Sequence, residues 1–455
     1  MSDESAGGGF APRLGQRLSG FLRQPGISGM TVVIGVKAGM VLLNFALITL
    51  AAWALNADDF GHYSILLSGA GLLYIVAAGG QEPFVLRIWN EMAAAGDGAR
   101  LKGALRFTTA VALTGSVIVA IGFVPWATSI VDRASALTAV AYLLVAASLQ
   151  ICMHLVRTEV GVASGDGAGN ALCYMPPIAY LIWHMYTGTP VAISDVFLAL
   201  ACGAAAGLVL QLAIIRHRLY RLFPDFSRLT PVYDLRAWAP RSFKLWIATS
   251  LEAINQYIDV IIIGYLLHPA IAGAYFVVVR LANLFAAAAD AINLFATSRL
   301  PGLYYRGEHG ALNSLLDTLA WLTLIFILGG MLAIGAGGYF VLHLIDAQYT
   351  AYFPELLVLC LGTAALATTR STTILLMLSG HEGRYLSIVA LSVVLRVAGF
   401  MLLVPHFGVM GAVSATALSF AIQSLVLRYA AMTSARIDSS MFRLLKLRRG
   451  AEATP

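Results

Sequence analysis

The chain has 455 residues, of which 59% are hydrophobic and 11% are charged. An ordinary soluble domain is about a quarter charged, so the composition argues against a soluble protein and indicates a polytopic membrane protein. The net charge of +6 lies in the segments between apolar runs, which suits attraction to anionic lipid and argues against a nucleic-acid-binding protein.

Apolar runs recur along almost the whole chain, and each is long enough to cross a hydrocarbon core of about 30 Å as a helix of about 20 residues. Helices rather than barrel strands are predicted, because runs such as VIII at 260–263 lack the dyad alternation of a barrel. Twelve spans are predicted, at 29–53, 62–86, 105–124, 135–156, 169–187, 193–215, 243–266, 271–297, 315–345, 353–379, 385–404 and 409–432.

The segments between the spans fall into two sets that differ in Lys and Arg. In one set, near residues 58, 125–134, 190, 268, 346 and 405, Arg133 is the only Lys or Arg. The other set is rich in Lys and Arg and includes both ends of the chain. The positive-inside rule therefore places both termini in the cytoplasm.

A basic stretch at 216–242 divides the twelve spans into six and six. FGHY at 60–63 follows the first span and AGAY at 272–275 follows the seventh, and Pro190 and Pro405 precede the sixth and twelfth. These echoes, 212 to 215 residues apart, predict two lobes of equal orientation around a midplane cavity. The predicted divisions are a cytoplasmic segment 1–28, an N-lobe 29–215, a linker 216–242, a C-lobe 243–433 and a tail 434–455. Both end segments read as interfacial helices or as solvated tails.

Side chains that often mark cofactor or metal sites are scattered. The four cysteines lie inside apolar spans without CxxC spacing, and His154, His184 and His343 form no cluster. We therefore predict no metal and no cofactor. Glu82 and Pro83 predict a kink or break in the second span. The absence of a G-x-x-x-x-G-K-[ST] motif argues against an ATP-driven pump.

Four stretches carry a resemblance to a known family: ADDFGHYS (57–64), 259–282, LIDAQYTAYFPELLVLCLG (344–362) and LLVPHFGVMGAVSATALS (402–419). With them the chain resembles the Wzx-type polysaccharide flippases of the multidrug/oligosaccharidyl-lipid/polysaccharide (MOP) exporter superfamily, over residues 29–433. The resemblance implies an all-α membrane protein with twelve transmembrane helices in two pseudo-symmetric six-helix lobes.

The same resemblance implies a function. A protein of this kind resides in the bacterial inner membrane and moves an undecaprenyl-diphosphate-linked oligosaccharide to the periplasmic leaflet by alternating access, for surface or exopolysaccharide synthesis. Its implied partners are membrane lipids and the polymerase and chain-length or export proteins of the pathway. A cation-coupled multidrug exporter is the alternative within the superfamily. A glycosyltransferase or polymerase would need a large external loop, which this chain lacks.

Basic residues deep in the spans are the first candidates for a substrate site, because a charge there costs at least about 2.5 kcal/mol and commonly has a function. A lipid diphosphate needs such cations. The predicted transport-cavity residues are Lys37, Arg280, Arg370 and Arg396. Alternatively, Arg370 lines the inner mouth, and Arg280 and Arg396 pair structurally with Asp290, Glu252 or Asp259.

A polar stripe follows one face of the seventh span, where Glu252, Asn255, Gln256 and Asp259 are spaced i, i+3, i+4 and i+7. An offset of 215 residues maps Lys37 onto Glu252 and Asn44 onto Asp259. Since the first helix of each lobe borders the cavity in the resembled family, we expect the two faces to confront each other. Three interpretations remain open: a charge gate or ion-coupling site in which Lys37 pairs with Glu252 or Asp259, a permanent pairing between lobes, and packing within one lobe.

Overall fold

The computed structural model describes residues 27–434 and 438–444, without the side chains of residues 27–32, 34, 285–295, 297–299 and 309. Within this part the chain forms thirteen α-helices, joined by short turns, a π-helical turn at Ala163–Gly167 and a 3-10 turn at Ala347–Tyr352. The α-helices are α1 (Ile27–Ala54), α2 (Ala57–Ala77), α3 (Gln81–Ala95), α4 (Gly98–Thr128), α5 (Arg133–Glu159), α6 (Ala168–Thr187), α7 (Ile193–Leu222), α8 (Leu235–Leu266), α9 (Pro269–Tyr305), α10 (His309–Ile345), α11 (Phe353–Ala367), α12 (Arg370–Leu378) and α13 (Glu382–Ser434).

Each of the twelve predicted spans overlaps a helix. The second span comprises α2 and the start of α3, the tenth comprises α11 and α12, and the eleventh and twelfth are the two parts of α13, which is kinked at Gly408 (φ 55°). Eight described segments are long and apolar enough to cross a membrane by length and composition. Successive spans run in opposite directions, so the basic inter-span segments share one end of the molecule, called here the basic end. The other end is called the opposite end.

Polar side chains start several helices where the chain leaves a short loop. Asn56 accepts a hydrogen bond from the Asp59 amide at 2.8 Å, and Asp132 accepts from the amides of Ala134 and Ser135 at 2.9 and 3.1 Å. These acceptors satisfy amides that have no partner within the first helical turn. The sequence thus fixes where α2 and α5 begin.

The second span is broken between α2 and α3. Gly79 and Gly80 have φ of +64° and +70°, a backbone conformation that glycine adopts without strain. The carbonyls freed by the break are bound from α8, where Trp246 Nε1 donates to Val76 O at 3.0 Å and Ser242 Oγ donates to Gly79 O at 3.2 Å. The predicted break at Glu82 and Pro83 is therefore present, but it lies a few residues earlier.

The lobes are sealed against each other at the opposite end. Here α2 of the N-lobe packs on α8 and α9 of the C-lobe in one buried cluster that includes Phe60, Tyr63, Ile263 and Tyr275. Trp53 Nε1 also donates to Ile345 O at 2.9 Å, which joins α1 to the end of α10.

Two glycines meet in this seal. A Cβ on Gly273 would lie 3.2 Å from the Gly61 backbone, and a Cβ on Gly61 would lie 2.1 Å from Pro269 O. Gly61 and Gly273 are the equivalent positions of the FGHY and AGAY echoes. Their contact is the one that a pseudo-two-fold axis between two related lobes would produce.

Candidate functional site

A cavity of about 740 Å³ lies between the lobes, on the basic-end side of the seal. Helices α1 and α6 supply its N-lobe wall, and α8, α9 and α11–α13 supply its C-lobe wall. At the opposite end of the molecule, α1 ends at Ala54 and α9 begins at Pro269. Asn44 and Arg280 lie ten and eleven residues from these points, which is about 15 Å at 1.5 Å per residue. The cavity therefore reaches about half-way through a 30 Å hydrocarbon core.

Uncharged polar and aromatic side chains make up much of the described wall. Six amides are Asn44, Asn170, Asn255, Gln256, Asn283 and Gln423, and five aromatic rings are Phe45, Tyr174, Tyr257, Tyr385 and Phe420. Amides donate and accept hydrogen bonds, and rings offer flat apolar faces. This combination suits a ligand that carries many hydroxyl groups on apolar ring faces.

Arg280 is held in place by aromatic rings. Its guanidinium carbon lies 4.7 Å from the centre of the Phe276 ring and 5.6 Å from that of Tyr257. Its Nε is buried and has no hydrogen-bond partner among the described residues. Stacked arginine is positioned without losing its charge, so Arg280 offers a fixed cation and a donor to an anion in the cavity.

Glu252 and Arg370 stand nearer the basic end. Both line the cavity, and the Glu252 carboxylate lies within the electrostatic influence of Arg370 in the same lobe and of Glu82 in the N-lobe. Arg370 begins α12 directly after the break at Thr368 and Thr369. This part of the cavity therefore carries charges of both signs.

Asp259 and Arg396 form a buried pair inside the C-lobe. Arg396 Nη1 lies 3.2 Å from each carboxylate oxygen of Asp259 and 3.0 Å from Asn255 O, and the Arg396 side chain is 1% exposed. Tyr275 and Thr416 donate further hydrogen bonds to the carboxylate at 3.4 Å. Arg396 thus has a structural partner, as in the pairing alternative, and does not line the cavity.

Lys37 pairs within its own lobe. Its Nζ lies 3.6 Å from Asp166 Oδ2, and Arg157 Nη1 lies 3.1 Å from the same oxygen. The described residues contain no ion pair between Lys37 and Glu252 or Asp259 in this conformation, and Lys37 does not line the cavity. The charge gate stays a prediction for another conformation.

Five of the predicted site residues therefore line the cavity: Asn44, Glu252, Gln256, Arg280 and Arg370. Lys37, Asp259 and Arg396 do not. Asn170, Asn283 and Gln423 also line the cavity but are not among the predicted site residues, because those were chosen mainly by charge. Amides inside otherwise apolar spans are costly to bury unbonded, and that signal was available in the sequence.

The described residues contain no group of three or more His, Cys, Asp or Glu side chains that could hold a metal ion. All four cysteines are free thiols. Within the described part of the chain, none of them belongs to a group of three or more potential metal ligands. The polar chemistry of the site thus rests on amides, aromatic rings, arginines and Glu252.

No protein-family model matches the sequence, and no curated protein matches it either. Solved structures do match. An inward-facing multidrug resistance MATE family transporter of the MOP superfamily has a TM-score of 0.71 and 12% identity over 89% of this chain and 98% of that one. The lipid II flippase MurJ in an inward closed conformation has a TM-score of 0.68 and 11% identity over 88% and 87%. An outward-facing MATE family transporter has a TM-score of 0.62 and 12% identity over 90% and 95%.

These similarities are too low in identity to carry a substrate across, but they extend over nearly the full length of each chain. Together with the helices and the paired lobes, they define the architecture. The chain has the all-α, multi-pass fold of MOP superfamily transporters, with twelve transmembrane helices in two pseudo-symmetric six-helix lobes.

Proposed function

We propose that the chain is a flippase that moves an undecaprenyl-diphosphate-linked oligosaccharide from the cytoplasmic to the periplasmic leaflet of the bacterial inner membrane. The observation that carries this proposal is Arg280, a stacked guanidinium with an unbonded buried donor, in a cavity walled by amides and aromatic rings. The fold shared with transporters, including a lipid II flippase, supports it.

The wall matches the two parts of such a headgroup. The diphosphate is anionic and is bound best by charged donors, which Arg280 and Arg370 supply. Sugars present hydroxyl groups to amides and apolar ring faces to aromatic side chains, and the wall offers both. The polyprenyl tail stays in lipid, so only the headgroup needs the polar route.

The charged groups of the described wall suit an anion better than a cationic drug. Deep acids and bases nearly cancel in the sequence, but the Asp259 carboxylate is bound to Arg396 inside the C-lobe and so does not offer its charge to a cation in the cavity. Arg280 lines the cavity and is held by aromatic rings rather than by a carboxylate. A multidrug exporter for cations would be better served by an accessible carboxylate at this depth.

The conformation suits loading from the cytoplasm. The seal lies at the opposite end and the cavity lies on the basic-end side of it, which the positive-inside rule places in the cytoplasm. Release needs the lobes to rock, opening the seal and closing the basic end. A membrane potential, negative inside, favours outward movement of an anion by about 2.3 kcal/mol per charge per 100 mV.

The test is a flipping assay in vesicles with a fluorescent lipid-linked oligosaccharide diphosphate and an impermeant quencher. We expect Arg280→Ala to lose roughly tenfold or more in rate, since charge-assisted hydrogen bonds contribute about 1.5–3 kcal/mol. Arg280→Lys keeps the charge and should retain part of the rate. Arg306→Ala is the matched control, because Arg306 directly follows the same helix but is exposed and paired with Glu308.

Two results would contradict the proposal. One is a wild-type flipping rate in Arg280→Ala. The other is transport of cationic dyes by the wild type, without flipping of the lipid diphosphate, which would favour the multidrug exporter. In cells, deletion of the gene should leave lipid-linked oligosaccharides trapped in the cytoplasmic leaflet.

A further inference from the structure

His154 and Glu82 make a contact that the transport cavity does not use. Nδ1 of His154, on α5, lies 2.9 Å from the Gln150 carbonyl oxygen. A carbonyl oxygen only accepts hydrogen bonds, so Nδ1 carries a hydrogen. The other ring nitrogen, Nε2, lies 3.5 Å from Glu82 Oε2 on α3.

An additional proton makes this contact favourable. A neutral ring with its hydrogen on Nδ1 offers only a lone pair at Nε2, and an ionised Glu82 would face that lone pair with lone pairs of its own. The contact is attractive when one more proton lies on Nε2, giving imidazolium and carboxylate, or on Glu82, giving imidazole and carboxylic acid. Both forms hold the same number of protons, so the pair binds one exchangeable proton.

The surroundings offer Glu82 little compensation if that proton leaves. Its side chain is 14% exposed, and Oε1 is buried without a hydrogen-bond partner among the described residues. On α5, Arg157 is already bound to Asp166, which also holds Lys37. On α8, Arg241 is bound to Glu91, and Glu252 is a second carboxylate within electrostatic influence of Glu82. An unpaired buried carboxylate in this setting is destabilising.

Glu82 is also adjacent to a joint between the lobes. The preceding residue, Gln81, donates to Ser242 Oγ on α8 at 2.5 Å and accepts from Thr108 on α4 at 3.0 Å. A Cβ on Gly80 would lie 2.4 Å from the Trp246 backbone nitrogen. A shift of Glu82 is therefore transmitted directly to the contact between α3 and α8.

We propose that Glu82 and His154 form a proton-binding site in the N-lobe, and that its occupancy stabilises the conformation that is sealed at the opposite end. Loss of the proton releases α3 from α8 and favours the alternative arrangement of the lobes. The proposal does not depend on which molecule is transported, because it concerns the lobes of the substrate-free protein.

The experiment measures the distance between the lobes at the basic end. Spin labels are placed at Ala95→Cys on α3 and Gly383→Cys on α13, both exposed, in a background without the four native cysteines. Distances are recorded without substrate by double electron–electron resonance between about pH 5 and pH 8, the range in which imidazole titrates. We expect the distance distribution of the wild type to shift over this range.

Two variants and a control decide the outcome. Glu82→Gln donates to Nε2 without an extra proton, so its distribution should remain in the low-pH form throughout. His154→Gln should also lose the shift and gives an independent result if the first variant folds poorly. His217→Gln, an exposed imidazole on α7, should keep the shift. An unshifted wild type, or a shift that persists in both variants, would overturn the proposal.

Discussion

Arg280 and Arg396 stand at similar depth in the C-lobe but in different surroundings. Arg396 is 1% exposed and is bound to both oxygens of Asp259, so its charge is neutralised where it lies. Arg280 rests on Phe276 and Tyr257 and lines the cavity. The ion pair with Asp259 compensates the desolvation of Arg396, whereas ring faces and the open cavity compensate that of Arg280. Of these two arginines, only Arg280 is therefore suited to binding a ligand.

The first prediction concerns the buried pair. Asp259→Asn leaves the Arg396 guanidinium buried without a counter-charge, and we expect a loss of about 3–5 kcal/mol in the free energy of unfolding. The double variant Asp259→Asn with Arg396→Met removes the orphaned charge and should recover much of this loss. Unfolding in detergent by denaturant measures both.

Asp195→Asn, an exposed carboxylate near the start of α7, serves as the control and should change the free energy of unfolding by less than about 1 kcal/mol. If Asp259→Asn were no more destabilising than Asp195→Asn, the pair would not hold the C-lobe together. A double variant that is less stable than the single one would contradict the charge argument.

Helix breaks set the positions of several site residues at the scale of elements. The break between α11 and α12 frees the Thr368 carbonyl, which accepts from the Met441 amide at 2.9 Å. Met441 belongs to a C-terminal strap, residues 438–444, whose Ser439 and Ser440 are buried. Arg443 ties the strap to α10, with Nε 2.6 Å from Asp317 Oδ1. The strap thus fixes the start of α12, where Arg370 lines the cavity.

The second prediction concerns this strap. Arg443→Ala removes the ion pair with Asp317 and the hydrogen bond to Asn313, contacts of a kind that contribute about 1.5–3 kcal/mol when charge-assisted. We expect faster hydrogen exchange at the amides of 438–444 and of α12, read by mass spectrometry. Arg306→Ala, which breaks an exposed pair, should leave exchange at both segments unchanged.

At the scale of the whole molecule, two related lobes meet on their equivalent glycines. Gly61 and Gly273 allow α2 and α9 to approach until backbone touches backbone, and the seal depends on that distance. In a membrane, close packing of small residues replaces the hydrophobic force that would join helices in water. The closed state of the opposite end is therefore sensitive to a single methyl group.

The third prediction follows from this contact. Gly61→Ala places a Cβ 2.1 Å from Pro269 O, and no side chain can yield to relieve the clash. Overpacking of this kind costs about 1–3 kcal/mol, so the sealed state should lose about tenfold in population. In an Asn44→Cys background, the cysteine should then react faster with an impermeant maleimide added on the side of the membrane that faces the opposite end.

Gly35→Ala on α1 is the matched control, because nothing lies within 4 Å of its Cβ. It should leave the labelling rate of the cysteine at Asn44 unchanged. Equal rates in Gly61→Ala and the wild type would show that the seal tolerates the extra methyl group.

Hydrophobic length and periodicity predicted the helices well, because lipid requires each span to satisfy its own backbone. The break at Thr368 and Thr369 was not predicted, since no Gly or Pro marks it and its partner, Met441, is distant in sequence. The charged candidates were recognised, but their assignment to cavity or interior was beyond the sequence. Asp259 and Arg396 pair across 137 residues, and only packing decides that Lys37 reaches Asp166.

The strap has a consequence for biogenesis. The amide that completes the tenth span belongs to Met441, so the ribosome must translate both later helices before the Thr368 carbonyl finds its donor. During insertion the C-lobe is held in the bilayer with a backbone group unsatisfied, a costly condition in lipid. A nascent chain that stops soon after the last helix would keep the Thr368 carbonyl without this donor. We expect membrane proteases to degrade such a chain as incompletely folded.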